Sequence, residues 1–198
     1  MKQSHRRVIV LASLVSVLTL TSALLLALAP APMSPGASNT LFAIDEPKNL
    51  DVIFQPDVPM STGRWKSIYV HQSATTAGNA LSLAQAGGGV PDHFVIGNGD
   101  GSVDGGLEVC PRWTTQSSAL APAGHSIDPD CISICLVGDF DRSVPTPTQL
   151  RRVEQLIGAL QVRLRIPATN VLMLNEENTP AGSGRYFPQT ALRDQLLP

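Results

Sequence analysis

Charge is sparse in this sequence for its length. Only 15% of its 198 residues are charged, and 14 Lys and Arg against 16 Asp and Glu leave a formal net charge of −2. That balance excludes the basic footprint on which nucleic-acid binding depends. Cysteine is equally scarce: Cys110, Cys131 and Cys135 are too few and too scattered for a disulfide scaffold or a paired-cysteine zinc site. If Cys131 and Cys135 share an extended strand they sit about 13 Å apart and cannot bridge each other. Cys110 with Cys131 is the one disulfide to entertain; otherwise all three thiols behave as small buried hydrophobes. The length accommodates one domain of ordinary size plus a targeting segment, with no second domain expected. Sixteen glycines and sixteen prolines suit a loop-rich globular protein built on a few regular elements.

The first 29 residues read as a signal anchor or signal peptide. Lys2, Arg6 and Arg7 precede an uncharged, mostly apolar run from Val8 to Ala29, close to the roughly 20 residues a helix needs to cross a bilayer. The positive end stays in the cytoplasm, so the rest is expected outside it, anchored in the cytoplasmic membrane or secreted to the periplasm. Ala27 and Ala29 form a small-x-small cleavage pattern, but Pro30 would then begin the mature chain, which favours a retained anchor. Residues 30–60 are rich in Pro, Ala and Ser and read as a tether whose last part lies against a domain spanning 61–198.

Within that domain, the run WKSIYVHQSATT from Trp65 to Thr76 predicts a strand that delivers His71 to the rim of a sheet. Position alone makes this histidine a candidate metal ligand or general base, or a strand-end imidazole satisfied by hydrogen bonds. Ala77 to Ala86 predicts a helix stopped by Gly87 to Gly89. His93–Ile96, GNGDG over Gly97–Gly101 and Gly106–Val109 predict a hairpin. Asp100 and Asp104 do not make a calcium loop, because Ile96 stands at the first ligand position and the terminal glutamate is missing. Pro111 to Asp130 reads as irregular, with Trp113, Gln116 and His125 its chemically expressive side chains.

The apolar run Ile132–Val137 predicts a strand buried on both faces. Thr146 as cap, Pro147 at the first helical position and Gln149 completing a Thr-x-x-Gln capping box predict the clearest helix. Its apolar face is Leu150, Val153, Ile157, Leu160 and Leu164, with Arg151, Arg152, Glu154 and Arg163 elsewhere. Val171–Leu174 predicts another buried strand, and Gln189–Leu197 a short closing helix. The alternation makes the domain α/β, with a mixed, mostly buried central sheet flanked by helices.

Five segments in order, SIYVHQSAT, DHFVIGNGDG, SICLVGDFD followed by PTPTQL, RIPATNVLML and GRYFP, resemble the type 2 N-acetylmuramoyl-L-alanine amidases, whose fold is shared with the peptidoglycan recognition proteins. The resemblance covers about Trp65 to Leu197. It implies a cleft facing the cell wall. In that family zinc held by two histidines and a cysteine or aspartate activates water against the amide between muramic acid and L-alanine. His71 matches the first ligand. Leu174-Asn175 stands where the second is expected, and Gly182 or Ser183 where the third is. None of these side chains is a good zinc ligand. Asp92 replaces an assisting tyrosine, Pro180 a lysine or threonine, and Ser118-Ala119-Leu120-Ala121 a Gly-Ala-His-type stretch.

Two readings follow from the resemblance. In the first, the domain is a pseudoenzyme that keeps the fold without zinc or any cofactor and binds peptidoglycan, muropeptide or a partner in the old cleft. His71, Asp92, Trp113, Asn175 and Arg185 then serve as polar, stacking and charge contacts, and none is catalytic. In the second, it is an active zinc amidase with a relocated ligand set that joins His71 to Glu176, Glu177 or His125. A scaffold role with nothing in the cleft is a third reading, which an exposed apolar patch elsewhere would favour.

Overall fold

The computed structural model describes residues 42–44, 50–84, 89–120, 127–173 and 182–197. The apolar segment 8–29 lies outside them, and among the described residues no helix is long and apolar enough to cross a membrane.

Six strands form one mixed sheet: β1 (Phe42–Ile44), β2 (Ser67–Gln72), β3 (Phe94–Ile96), β4 (Leu107–Val109), β5 (Cys131–Leu136) and β6 (Val171–Met173). Their order across the sheet is β1-β4-β3-β5-β2-β6. Pairings β3–β5, β5–β2 and β2–β6 are parallel, whereas β1–β4 and β4–β3 are antiparallel. The run ISICLV thus sits inside the sheet, and every residue of β5 is buried. The hairpin between β3 and β4 turns through Gly99 and Gly101, at φ of 93° and 79°, values a side chain tolerates poorly. The end of the predicted tether contributes structure: β1 borders β4, and a 3-10 turn over Leu50–Phe54 puts Ile53 into the core.

Because successive side chains alternate across a sheet, the register makes two faces of different chemistry. One carries the rows Val109–Phe94–Ile134–Val70–Met173, Leu107–Ile96–Leu136–Gln72 and Ile132–Ile68–Val171. All but Gln72 are apolar and join one core cluster with Val153, Leu156, Ile157 and Leu160 of the long helix α2 (Pro147–Leu164). Burying each such side chain contributes about 1.5–3 kcal/mol. The helix begins as expected, with Thr146 accepting from the Gln149 N–H at 3.0 Å and Gln149 reaching back to the Thr146 N–H. The Gln149 amide also donates to the carbonyls of Ile96 and Val137, tying the helix start to the ends of β3 and β5.

Several expectations need correction. Ala77–Ala86 is not a helix in its described part: a single turn spans Ala80–Leu83. Asn79 Oδ1 accepts the Ser82 N–H and the Ser82 hydroxyl donates to the Asn79 carbonyl, a local exchange that competes with a continuing helix. Pro111–Thr114 forms a short helix, α1, within the supposedly irregular stretch. Arg152, assigned off the buried face, is buried, because its Nε donates to the Gly105 carbonyl at 2.8 Å. Strand β6 is an edge, so Leu172 is 41% exposed rather than buried on both sides. The proposed Cys110–Cys131 disulfide is absent, all three cysteines being buried free thiols. Cys110 packs in a cluster with Cys135, away from Cys131. The closing helix α3 runs over Gln189–Asp194.

Candidate functional site

The second face of the sheet carries the candidate site. One row reads Glu108–Val95–Cys135–His71 across β4, β3, β5 and β2. The next aligns Ser133, Tyr69 and Leu172. Apolar cover here is small: Ala80, Val90, Val95, Cys110, Cys135 and Val137, with Leu83 against them.

His71 is held on both sides. Its Nδ1 lies 3.0 Å from the Gln72 carbonyl, which can only accept, so Nδ1 carries a proton. Its Nε2 lies 2.8 Å from Asp92 Oδ1 and 3.2 Å from Ser133 Oγ. The Ser133 hydroxyl donates to the same Asp92 oxygen, and Tyr69 stacks on the imidazole with ring centroids 5.1 Å apart. His71, Asp92 and Cys135 are 8%, 2% and 2% exposed, so the group is closed to solvent. Burial alone pushes the His71 pKa down, but the Asp92 charge and hydrogen bond outweigh it and the net direction is up. Burial likewise pushes Asp92 up, and the imidazolium, Ser133 and His93 reverse it to a net fall. Both directions favour the charged pair, an imidazolium facing a carboxylate. Cys135 keeps its proton, since burial, Asp92 and Cys110 all raise its thiol well above the ordinary value.

Behind this group sits His93, buried and neutral. Its Nε2–H donates to the Ser117 carbonyl at 2.8 Å and its Nδ1 accepts the Ser133 N–H at 2.9 Å. Burial lowers its pKa to about 4. Trp65 meets its ring edge-on at a centroid separation of 4.8 Å. Trp113, expected as a stacking contact in the cleft, is fully buried in the main core, where its indole N–H donates to the Ile53 carbonyl. An indole N–H needs a buried acceptor, and the segment that ends the tether supplies it.

The third ligand position of the resemblance does lie beside His71, because the Gly182 carbonyl accepts the Gln72 N–H at 3.1 Å. Ser183 is buried, and its hydroxyl accepts from the Gln189 amide at 2.6 Å. Neither residue offers imidazole, thiolate or carboxylate, so the zinc set implied by the resemblance does not fit the residues present. Arg185 and Tyr186 are exposed on the same loop. The Arg185 N–H is held at 3.0 Å by Asp141, whose other carboxylate oxygen accepts from the Gln72 amide at 2.9 Å. Gly184, at φ 92°, passes so close to Phe140 that an added Cβ would meet its Cβ at 2.5 Å. Asn175, Glu176, Glu177, Pro180 and His125 lie outside the described residues.

Two members of the site were not singled out from sequence. Ser133 and Cys135 were hidden in the apolar run ISICLV, although alternation within it, Ile-x-Ile-x-Leu against Ser-x-Cys, marks a small, polar side.

No protein-family model matches the sequence, and no curated protein matches it. Among solved structures, the chain is similar to the N-acetylmuramoyl-L-alanine amidase LysC from Clostridium intestinale URNW, with 16% identity, a TM-score of 0.49 and coverage of 70% of this chain and 90% of that one. It is also similar to the bumblebee PGRP-SA, with 10% identity, a TM-score of 0.46 and coverage of 79% and 87%. PGRP-Hd from Alvinella pompejana gives 17% identity, a TM-score of 0.39 and coverage of 72% and 90%. At these values the likenesses accompany the fold and add nothing about chemistry or ligands.

Proposed function

We propose that this domain is a non-hydrolytic, amidase-like module that binds muropeptide or peptidoglycan at the rim of the sheet, outside the cytoplasm and tethered through its apolar N-terminal segment. The observation that carries the reading is the state of the loop 182–186. Of the two residues that stand for the third ligand, Gly182 has no side chain and Ser183 is buried and committed to Gln189, while Arg185 and Tyr186 stand exposed beside them. A guanidinium suits the carboxylates of a stem peptide, and a phenol ring suits the face of a sugar. Asp92, at the place of an assisting tyrosine, is turned inward onto His71. Asp92 is thereby committed to His71 and Ser133 rather than to water in the cleft.

Sedimentation with purified peptidoglycan and titration with soluble muropeptides test this on the full chain. Binding should be saturable, the substrate mass should stay unchanged, and an Arg185→Ala, Tyr186→Ala double variant should bind at least roughly tenfold more weakly. Equal and negligible binding by both proteins would overturn the binding reading. Release of free stem peptide would instead favour the enzyme with relocated ligands.

A further inference from the structure

The polar row on the second face has a composition that stability alone does not call for. A buried ion pair is commonly no better for stability than apolar residues of the same volume, yet here a carboxylate, an imidazole and a thiol meet under one closed surface. They come from three separate places. His71 and Cys135 are direct register partners on parallel strands β2 and β5, about 4.8 Å apart with side chains on one face, and Asp92 arrives from the turn before β3. One ligand-type atom from each lies within 4.8 Å of the other two.

We propose that His71, Asp92 and Cys135 form a closed binding site for a single soft divalent metal ion, zinc above all. It is distinct from the ligand set of the amidase resemblance, of which it uses only His71, and independent of muropeptide binding at the rim. A tetrahedral zinc site spaces its ligand atoms about 3.3–3.8 Å apart, given bonds of roughly 2.0–2.3 Å. The 2.8 Å between His71 Nε2 and Asp92 Oδ1 opens to that spacing with a small side-chain rotation, and the Cys135 sulfur closes from within 4.8 Å.

The supporting contacts are those a metal site requires. Nδ1–H of His71 donates to the Gln72 carbonyl, which leaves Nε2 as the coordinating atom, the usual second contact of a metal-bound histidine. The Ser133 hydroxyl donates to Asp92 and fixes the carboxylate in the same way.

Thiolate with imidazole selects zinc or cobalt over magnesium or calcium. With its ligands at most 8% exposed, the ion would be screened from bulk solvent and from a cell-wall polymer.

The test uses the tag-free full chain in detergent, stripped with chelator and reloaded with zinc or cobalt. Expected are one zinc per chain by elemental analysis, a rise in thermal midpoint with zinc, and a sulfur-to-cobalt charge-transfer band with cobalt. Cys135→Ala should abolish the band and weaken zinc binding by more than the roughly 100-fold that loss of an outer contact causes. Cys110→Ala, which removes the neighbouring thiol, should change neither. If Cys135→Ala fails to fold by circular dichroism, Cys135→Ser and Asp92→Asn are read in the same way. Zinc far below one per chain at saturation, a cobalt band that survives loss of Cys135 in a folded variant, or a band that depends on Cys110 would each overturn the site.

Discussion

The two faces of the central sheet are built from the same strands and follow opposite rules. On the helix side, rows such as Val109–Phe94–Ile134–Val70–Met173 are filled by apolar residues that pack onto α2. On the other, Glu108–Val95–Cys135–His71 places ionisable or soft side chains at three of four positions. The first face is what makes the strands a sheet. The second carries the buried polar groups from which the candidate site is built.

Four measurements would break or sharpen that contrast. The largest effect is expected at the polar face, in metal-free protein. Asp92→Ala should cost about 3–5 kcal/mol in denaturant unfolding, because it leaves a buried imidazolium without its partner. A His71→Leu, Asp92→Leu double variant should recover most of that loss; if it does not, the pair is holding the fold and the contrast between faces fails.

On the apolar face, Ile134→Ala should cost about 2–5 kcal/mol through the lost burial and the cavity left behind. A cost below that range would mean the helix side is less tightly filled than its burial indicates.

The third measurement is stability against pH. His93 is depressed to about 4 by burial against about 6.5 when unfolded, so the unfolded chain binds the extra proton first. Its contribution is fully present above pH 6.5 and is lost as pH falls towards 4, by about 3 kcal/mol in all. His71, raised by Asp92, acts in the opposite sense, its contribution being present below pH 6.5 and lost as pH rises through its folded value. Comparing the wild type with His93→Gln isolates the first slope. An unchanged slope would mean that His93 is not the neutral, buried base its hydrogen bonds describe. Smallest of the four, Thr146→Ala should cost about 1 kcal/mol by removing the cap of α2, and a much larger loss would show that the helix side depends on the cap as well as on packing.

What was legible in the sequence follows the same division. The helix side announced itself through period and capping: Thr146, Pro147 and Gln149 fixed where α2 begins, and ISICLV placed β5 inside the sheet. His71 was legible because an apolar strand ended on it. Its partners were not, since Asp92 is 21 residues away in a turn and the register that sets Cys135 beside it exists only once β2 and β5 pair. Reading Trp113 as a cleft residue failed for a related reason. Its acceptor, the Ile53 carbonyl, lies 60 residues earlier, in a stretch without period. Short-range hydrogen bonding defeated the helix expected from Ala77, where Asn79 and Ser82 satisfy each other.

Gln72 joins these regions. Its side chain gives its oxygen to the Phe140 N–H and its amide hydrogen to Asp141, its own N–H is taken by Gly182, and Asp141 in turn holds the Arg185 N–H. The turn after β5 and the loop bearing Arg185 and Tyr186 are thus pinned to the residue next to His71. Such a lattice holds the rim in one arrangement: if cell-wall fragments bind there as proposed, selectivity between them would come from rejecting poor fits at first contact, with little reshaping of the loop around each one.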